Sequence, residues 1–172
     1  MGKITFILGG ARSGKSRFAV KLAQGNGRKV AFIATCLPLD SEMKKRIGIH
    51  KKTRPSHWRT FETPRDISSL LKQIGHKFET IIIDCLTLLV SNLLLKGLDG
   101  NDIESQVNKI LRSLKKIKAR AIIVSNEAGL GIVPENKLAR DFRDIAGRIN
   151  QTVASKSDEV IFMLAGLPLK IK

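Results

Sequence analysis

Tyrosine is absent from this chain of 172 residues, and Trp58 is its only tryptophan. Little aromatic surface is therefore available for bases to stack on, which counts against nucleic acid as a partner despite a net charge of +16. The 31 Lys and Arg outnumber the 15 Asp and Glu, but they are scattered. Lys44, Lys45, Lys51 and Lys52, then Lys115, Lys116 and Lys118, then Lys170 and Lys172 fall largely on polar sides of helices, where solvation is their usual role. Such a surface attracts phosphate-bearing small molecules equally well. Only two cysteines occur, Cys36 and Cys85, at no metal-ligand spacing and with no disulfide framework. That usage suits a reducing cytoplasm. No apolar run is long enough to span a bilayer, and the amino terminus lacks the pattern of a secretory signal. With 42% hydrophobic residues, the expectation is one domain, 1–172, with a sizeable core.

What is present is an alternation of strand and helix patterns. Ile4–Leu8, Val30–Ala34, Thr80–Asp84, Ala121–Ser125 and Glu159–Ala165 read as strands. Their continuous apolar runs mark strands buried on both faces, as in a parallel sheet between helices. Helical patterns occupy 15–24, 40–52, 64–75, 86–96, 102–117 and 135–156, with a possible edge strand at Trp58–Phe61. The last helix carries Leu138, Phe142, Ile145, Ile149 and Val153 on one stripe, with Arg140–Asp144 and Asp144–Arg148 as spaced ion pairs. Pro38, Pro55, Pro64, Pro134 and Pro168 all fall at boundaries. Gly166-Leu167-Pro168, between two apolar runs, predicts a terminal hairpin that adds an antiparallel strand at the sheet edge. With the glycine-rich GGARSGKS at 9–16 between the first strand and the first helix, the fold class is α/β: a P-loop NTPase-like, doubly wound, mostly parallel sheet flanked by helices. Ligands should lie at the carboxyl ends of its strands.

Gly9-Gly10-Ala11-Arg12-Ser13-Gly14-Lys15-Ser16 follows the first strand and opens a helix. It fits G-x-x-x-x-G-K-[ST], the phosphate-binding P-loop. Its glycines let successive N–H groups turn inward as a nest for phosphate oxygens, and the helix points its positive end at the same anion. Lys15 would reach the β- and γ-phosphates, and the Ser16 hydroxyl would ligate Mg²⁺. Asp84 ends an apolar strand and suits the acid that holds Mg²⁺ opposite Ser16; the plainer reading is a capping acid for the next helix. The strand ending at Ala34 leads into Thr35 and Cys36, hydrogen-bonding side chains near the same crevice. Ser125-Asn126-Glu127 and the glycines after them form either a substrate-facing lip or a simple strand-to-loop transition.

His50 stands four residues after Arg46 and four before Arg54, so a helix would stack these cations along one side. Positive neighbours disfavour imidazole protonation and leave a lone pair for nucleophilic attack. The alternative is a solvated basic helix face carrying an incidental histidine. His57 would pack beside Trp58, and His76 sits in a polar turn.

The chain resembles the bifunctional adenosylcobinamide kinase/adenosylcobinamide-phosphate guanylyltransferases of cobalamin synthesis over nearly its whole length. The resemblance lies in GGARSGKSRFA at 9–19, FIAT at 32–35, the RI-x-x-H-x-x-x-RP-x-x-WRT-x-E pattern from Arg46 to Glu62, the segment around Asp84, the block at 125–151 and the hairpin. It implies that a nucleoside triphosphate, ATP or GTP, phosphorylates adenosylcobinamide, and that GMP then passes from GTP through a guanylylated histidine to adenosylcobinamide phosphate. His50 is the implied nucleophile. Implied GTP contacts are Gly9 to Ser16, Ala34, Thr35, Cys36, Lys51, Lys52, Thr53, Arg54, Glu62 and Asp84. A cytoplasmic homotrimer with active sites near subunit boundaries is also implied. Two positions depart from the pattern: Cys36 replaces a small hydroxyl residue, and Ile49 stands where some relatives place a polar or basic residue. One P-loop cannot present both the α- and the γ-phosphate to one point, so the 40–55 helix is expected to move. Two other readings stay open on the residues alone: a monofunctional P-loop kinase for a small hydroxyl compound, and a nucleic-acid-stimulated ATPase module.

Overall fold

A computed structural model describes the chain apart from Met1, Asn26, Arg28, Leu39, Asp40 and Thr53 and, within one helix, the side chains of Glu42, Arg46, His50 and Lys52. Its strands are β1 (Ile4–Gly9), β2 (Val30–Ala34), β3 (Arg59–Glu62), β4 (Thr80–Asp84), β5 (Arg120–Val124), β6 (Glu159–Leu164) and β7 (Leu167–Lys170). Its helices are α1 (Lys15–Gln24), α2 (Ser41–Lys52), α3 (Ile67–Ile74), α4 (Leu86–Leu94), α5 (Gly100–Lys116) and α6 (Lys137–Lys156). The strands form one seven-stranded sheet in the order β3-β2-β4-β5-β1-β6-β7. Pairings are parallel except that of β6 with β7, which is the predicted hairpin.

Burial explains the continuous apolar runs. Ile4, Phe6, Ile33, Ile81, Ile83 and Ile123 face α3, α4, α5 and α6. The alternate residues Ile7, Phe32, Ile82, Ile122 and Val124 face α1, Trp58 and Cys85. Both faces of the central strands are thus in core, and burying a side chain such as Ile82 stabilises by about 1.5–3 kcal/mol. The helices obey their own period: α5 buries Ile103, Val107, Ile110, Leu111 and Leu114. On α1 the buried apolar residues are only Ala19 and Ala23, so this helix lies close to the sheet.

Boundaries shift where capping chemistry decides them. Asp66 accepts from the Ser69 N–H, so α3 starts at Ile67 rather than at Pro64. Asp99 accepts from the Asp102 N–H and Asn136 from the Ala139 N–H, which starts α5 at Gly100 and α6 at Lys137. On α6 the stripe is buried from Ile145 onward, Phe142 is half-buried and Leu138 is exposed. Its ion pairs also differ from expectation. Lys137 pairs with Asp141 and Arg143 with Asp144, while Arg140 donates to the carbonyls of Pro134 and Glu135. Pro168 lies inside β7, paired with Met163, rather than at a boundary. Because β7 is an exposed edge strand, a missing N–H there is tolerated. His57 is exposed rather than packed.

Candidate active site

Register lines up the polar strand ends. Glu62 pairs with Ala34, Ala34 with Asp84, Asp84 with Val124, and Val124 with Ile7. One step beyond Ile7, Leu8 leads into the phosphate loop. The loop therefore emerges two strands away from Asp84, at the same sheet edge.

The loop is shaped by positive φ at Gly9 (152°), Arg12 (58°) and Gly14 (93°). A side chain at Gly9 would meet the Met163 carbonyl oxygen at 2.5 Å, so glycine is required there sterically as well as conformationally. Lys15 is buried, and its Nζ donates to the Gly10 carbonyl at 2.5 Å and to Ser13 Oγ at 3.4 Å. Desolvation lowers its pKa, opposed by Cys85 and Asp84. Two neighbours brace the loop backbone. The Gly166 N–H of the hairpin turn donates to the Ser13 carbonyl at 3.1 Å, and the Glu127 N–H donates to that of Gly9 at 3.0 Å. Gly10, Ala11 and Arg12 face solvent, and Ser16 is half-buried.

Asp84 is held through its backbone. The Thr35 N–H donates to the Asp84 carbonyl at 3.2 Å. Thr35 is fully buried; its hydroxyl donates to the Cys85 carbonyl at 2.7 Å and accepts from the Cys85 N–H at 2.8 Å. Asn92, on α4, donates to the Thr35 carbonyl at 2.8 Å and to that of Pro64 at 3.0 Å. The polar atoms of Thr35 are thus engaged within the protein. The Asp84–Cys85 peptide bond is cis. Burial, with Asp84 next to it, pushes the Cys85 thiol up to about 12. Cys36 is half-buried.

On the other side of Asp84, Lys51, Arg54, Pro55, Ser56, Trp58, Thr60 and Glu62 line a cleft of about 360 Å³. Lys51 and Glu62 form an ion pair of 2.5 Å across it; both are exposed, so the pair adds little stability. The helix expected to stack Arg46, His50 and Arg54 ends at Lys52, so Arg54 falls outside it. Its guanidinium instead lies 3.5 Å from the centroid of the Phe32 ring. Desolvation lowers the pKa of Arg54, against the pull of Asp84 and Glu62. Its Nη1 is buried without a hydrogen-bond partner among the described residues, a donor that an anion at this edge would satisfy. His50 and Lys52 belong to α2, their side chains lying outside the described residues, as does Thr53 entirely.

For a metal, Ser16 and Asp84 offer a hydroxyl and a carboxylate. Among the described residues no group of three or more His, Cys, Asp and Glu could hold an ion. So sparse a set fits Mg²⁺, which keeps waters and takes substrate phosphate oxygens rather than a full protein cage. Sequence reading singled out the loop, Asp84 and the Arg46–Glu62 segment. It passed over Asn92, Thr87 and Asn150, which act at this edge through contacts with no local sequence pattern, and read Gly166 only as part of the hairpin turn. Ser125, read as part of a lip, is buried.

Residues 5–171 match the family described as cobinamide kinase / cobinamide phosphate guanyltransferase. The chain is 43% identical over 166 residues to the bifunctional adenosylcobalamin biosynthesis protein CobP of Pseudomonas aeruginosa, covering 96% of this chain and 95% of that one. It is 42% identical over 178 residues to the bifunctional adenosylcobalamin biosynthesis protein CobU of Salmonella typhimurium, covering 96% and 98%. The protein of that name from Escherichia coli is 40% identical over 178 residues, with the same coverage. Similarity running the length of the chain, on a sheet that gathers phosphate loop, acid and cationic cleft at one edge, has a single meaning: this chain belongs to the cobinamide kinase / cobinamide phosphate guanyltransferase family.

Proposed function

We propose that one domain, 1–172, performs both reactions in the family's description at this sheet edge. In the first, the hydroxyl of adenosylcobinamide attacks the γ-phosphorus of ATP or GTP; the bond to the β-phosphate oxygen breaks, and adenosylcobinamide phosphate and a nucleoside diphosphate result. In the second, a His50 nitrogen attacks the α-phosphorus of GTP, forming an N–P bond as pyrophosphate leaves. A phosphate oxygen of adenosylcobinamide phosphate then attacks the same phosphorus. The N–P bond breaks, giving adenosylcobinamide-GDP and free histidine. Splitting the transfer in two is the advantage of a covalent nucleophile.

The observation that carries this reading is Arg54. A half-buried guanidinium with an unpartnered Nη1 beside Asp84, on the phosphate-loop edge, suits an anionic ligand. The backbone N–H groups of Gly9 to Ser16 and the Lys15 ammonium bind and orient the triphosphate, and Lys15, Lys51, Lys52 and Arg54 offset charge on the departing pyrophosphate. Ala34, Cys36, Thr53 and Glu62 complete the nucleotide site, and the fully buried Thr35 supports it through its hydrogen bonds to Cys85. Ser16 and Asp84 would hold Mg²⁺, which when bound neutralises phosphate charge. The α2 segment must move between the two attacks, because one bound triphosphate cannot offer both phosphorus atoms to one point.

No helix among the described residues is long and apolar enough to cross a membrane. Both cysteines are thiols, which supports a cytoplasmic setting. The family resemblance makes the assembly a homotrimer, and exposed Leu167, Leu169 and Ile171 at the hairpin, with Leu130 and Ile132 on the β5–α6 loop, are apolar surface that contact between copies would cover. The decisive assay uses GTP labelled at the α-phosphate. An acid-labile, base-stable GMP adduct is expected on the parent and not on His50→Ala. A folded parent that forms adenosylcobinamide-GDP without any adduct would rule out the histidine route.

A further inference from the structure

Neither the phosphate loop nor the cationic cleft accounts for how the chain after β5 is held. Three buried side chains close a ring on Asn126. The Asn126 N–H donates to Thr87 Oγ1 at 2.7 Å, and Thr87 Oγ1 lies 3.0 Å from Ser125 Oγ. Ser125 Oγ donates to Asn150 Oδ1 at 2.8 Å, and Asn150 Nδ2 donates back to the Asn126 carbonyl at 3.1 Å. Proton counting orders the ring. The single Ser125 hydroxyl proton goes to Asn150, so Thr87 must donate to Ser125, leaving the Thr87 oxygen to accept from Asn126. The Asn150 amide is fixed the same way, since a flip would set its oxygen against the Asn126 carbonyl.

Thr87, Ser125 and Asn150 are 6%, 1% and 5% exposed. Polar groups this buried are tolerated when each is satisfied, and a satisfied network is rigid. Here they come from α4, the end of β5 and α6, and all serve the two peptide groups of Asn126. The ring leaves the Asn126 side chain out. That side chain is half-buried, and its amide forms no bond among the described residues.

Position gives the ring its use. Val124 pairs with Ile7 on one side and Asp84 on the other, so the residues that follow emerge between the phosphate loop and Asp84. The next peptide completes the link, the Glu127 N–H donating to the Gly9 carbonyl. We propose that the Asn126 amide contacts the γ-phosphate of the bound nucleoside triphosphate, and that Thr87, Ser125 and Asn150 are the positioning residues that hold it there. The proposal rests on the triphosphate-binding reading above. A neutral donor on a pinned backbone binds phosphate oxygens without adding charge beside Lys15 and Arg54. It also needs no reorganisation as charge shifts during transfer.

The test compares affinities for the imido analogue GMPPNP and for GDP with Mg²⁺ present, alongside melting temperature. In Asn126→Ala the ring survives, because it uses only the peptide of that residue. Its melting temperature should match the parent, while the preference for GMPPNP over GDP falls about tenfold. An unchanged preference, or equal weakening of both ligands, overturns the contact. Thr87→Val breaks the ring isosterically and Thr87→Ser keeps it. The valine variant should lose the preference and the serine variant retain it, and adding Thr87→Val to Asn126→Ala should lower the preference no further. A valine variant that is destabilised with its preference intact overturns the positioning role. Adenosylcobinamide phosphorylation by the parent is assayed in parallel. Its absence would count against the proposed function, while the affinity ratio still decides on Asn126.

Discussion

Replacing Thr35 separates two roles that the residue can have at this site. Family resemblance makes it a nucleotide contact, whereas its hydroxyl is engaged twice by Cys85, at 2.7 and 2.8 Å, in a fully buried position. Valine has nearly the same volume, so Thr35→Val removes the hydroxyl and leaves packing in place. The Cys85 carbonyl retains the Leu89 N–H at 3.3 Å, but the Cys85 N–H loses its acceptor. An unsatisfied buried donor costs about 1–3 kcal/mol, and a value near the middle, about 2 kcal/mol, is expected. For a chain of this size each kcal/mol moves the melting temperature by about 2–4 °C, so a fall of about 4–8 °C should appear in calorimetry. Thr35→Ser keeps both hydrogen bonds and loses one buried methyl, at a cost of about 0.5–1.5 kcal/mol. The valine variant should therefore be the less stable of the two, and its Mg²⁺-dependent affinity for GMPPNP should weaken as Asp84 loses support. A Thr35→Val protein that melts within about 1 °C of the parent yet binds GMPPNP poorly would refute this reasoning and make the hydroxyl a direct ligand contact.

The thiols should react unequally. Cys85 is buried with its pKa pushed up to about 12, so one thiol per native chain, that of Cys36, should react with a disulfide reagent at mild pH and the second only after denaturation. Rapid reaction of both in the native state would contradict the burial of Cys85. Asp158 fastens the start of β6 to β1, accepting from the Ile4 N–H at 2.7 Å and from Lys115 at 2.8 Å. The Ile4 N–H, then Lys115, lowers its pKa, so its stabilisation is present above the usual carboxylate range and is lost as pH falls through the depressed folded value. Asp158→Asn should therefore be less stable than the parent at neutral pH. The gap in urea midpoint should close in acid; a gap of constant size down to low pH would exclude the charge as its source.

Much of the scaffold is legible in local pattern. Ile81-Ile82-Ile83 and Ile122-Ile123-Val124 announce strands buried on both faces, because a continuous apolar run leaves no polar side for water. Helix starts at Ile67, Gly100 and Lys137 are less legible. A capping Asp or Asn acts only when its carboxyl or amide oxygen meets a free N–H, and a periodicity of apolar residues is blind to that. Arg54 shows a further limit. Spacing puts it on the same helix side as His50, but the helix ends at Lys52 and the guanidinium turns onto Phe32, far away in sequence.

The sequence by itself determined the shape of the loop from Gly9 to Ser16, since Gly9 and Gly14 admit backbone angles that a side chain would oppose. It also determined the acid at the end of β4 and the terminal hairpin, each written in a few adjacent residues. Only the tertiary structure decided that β5 lies between β1 and β4, and that Thr35 with Asn92, and Thr87 with Ser125 and Asn150, are joined to each other. Turns and runs are short-range consequences of sterics and hydropathy. Strand order and buried hydrogen bonds are settled by which distant segments exclude water together, and no single segment encodes that.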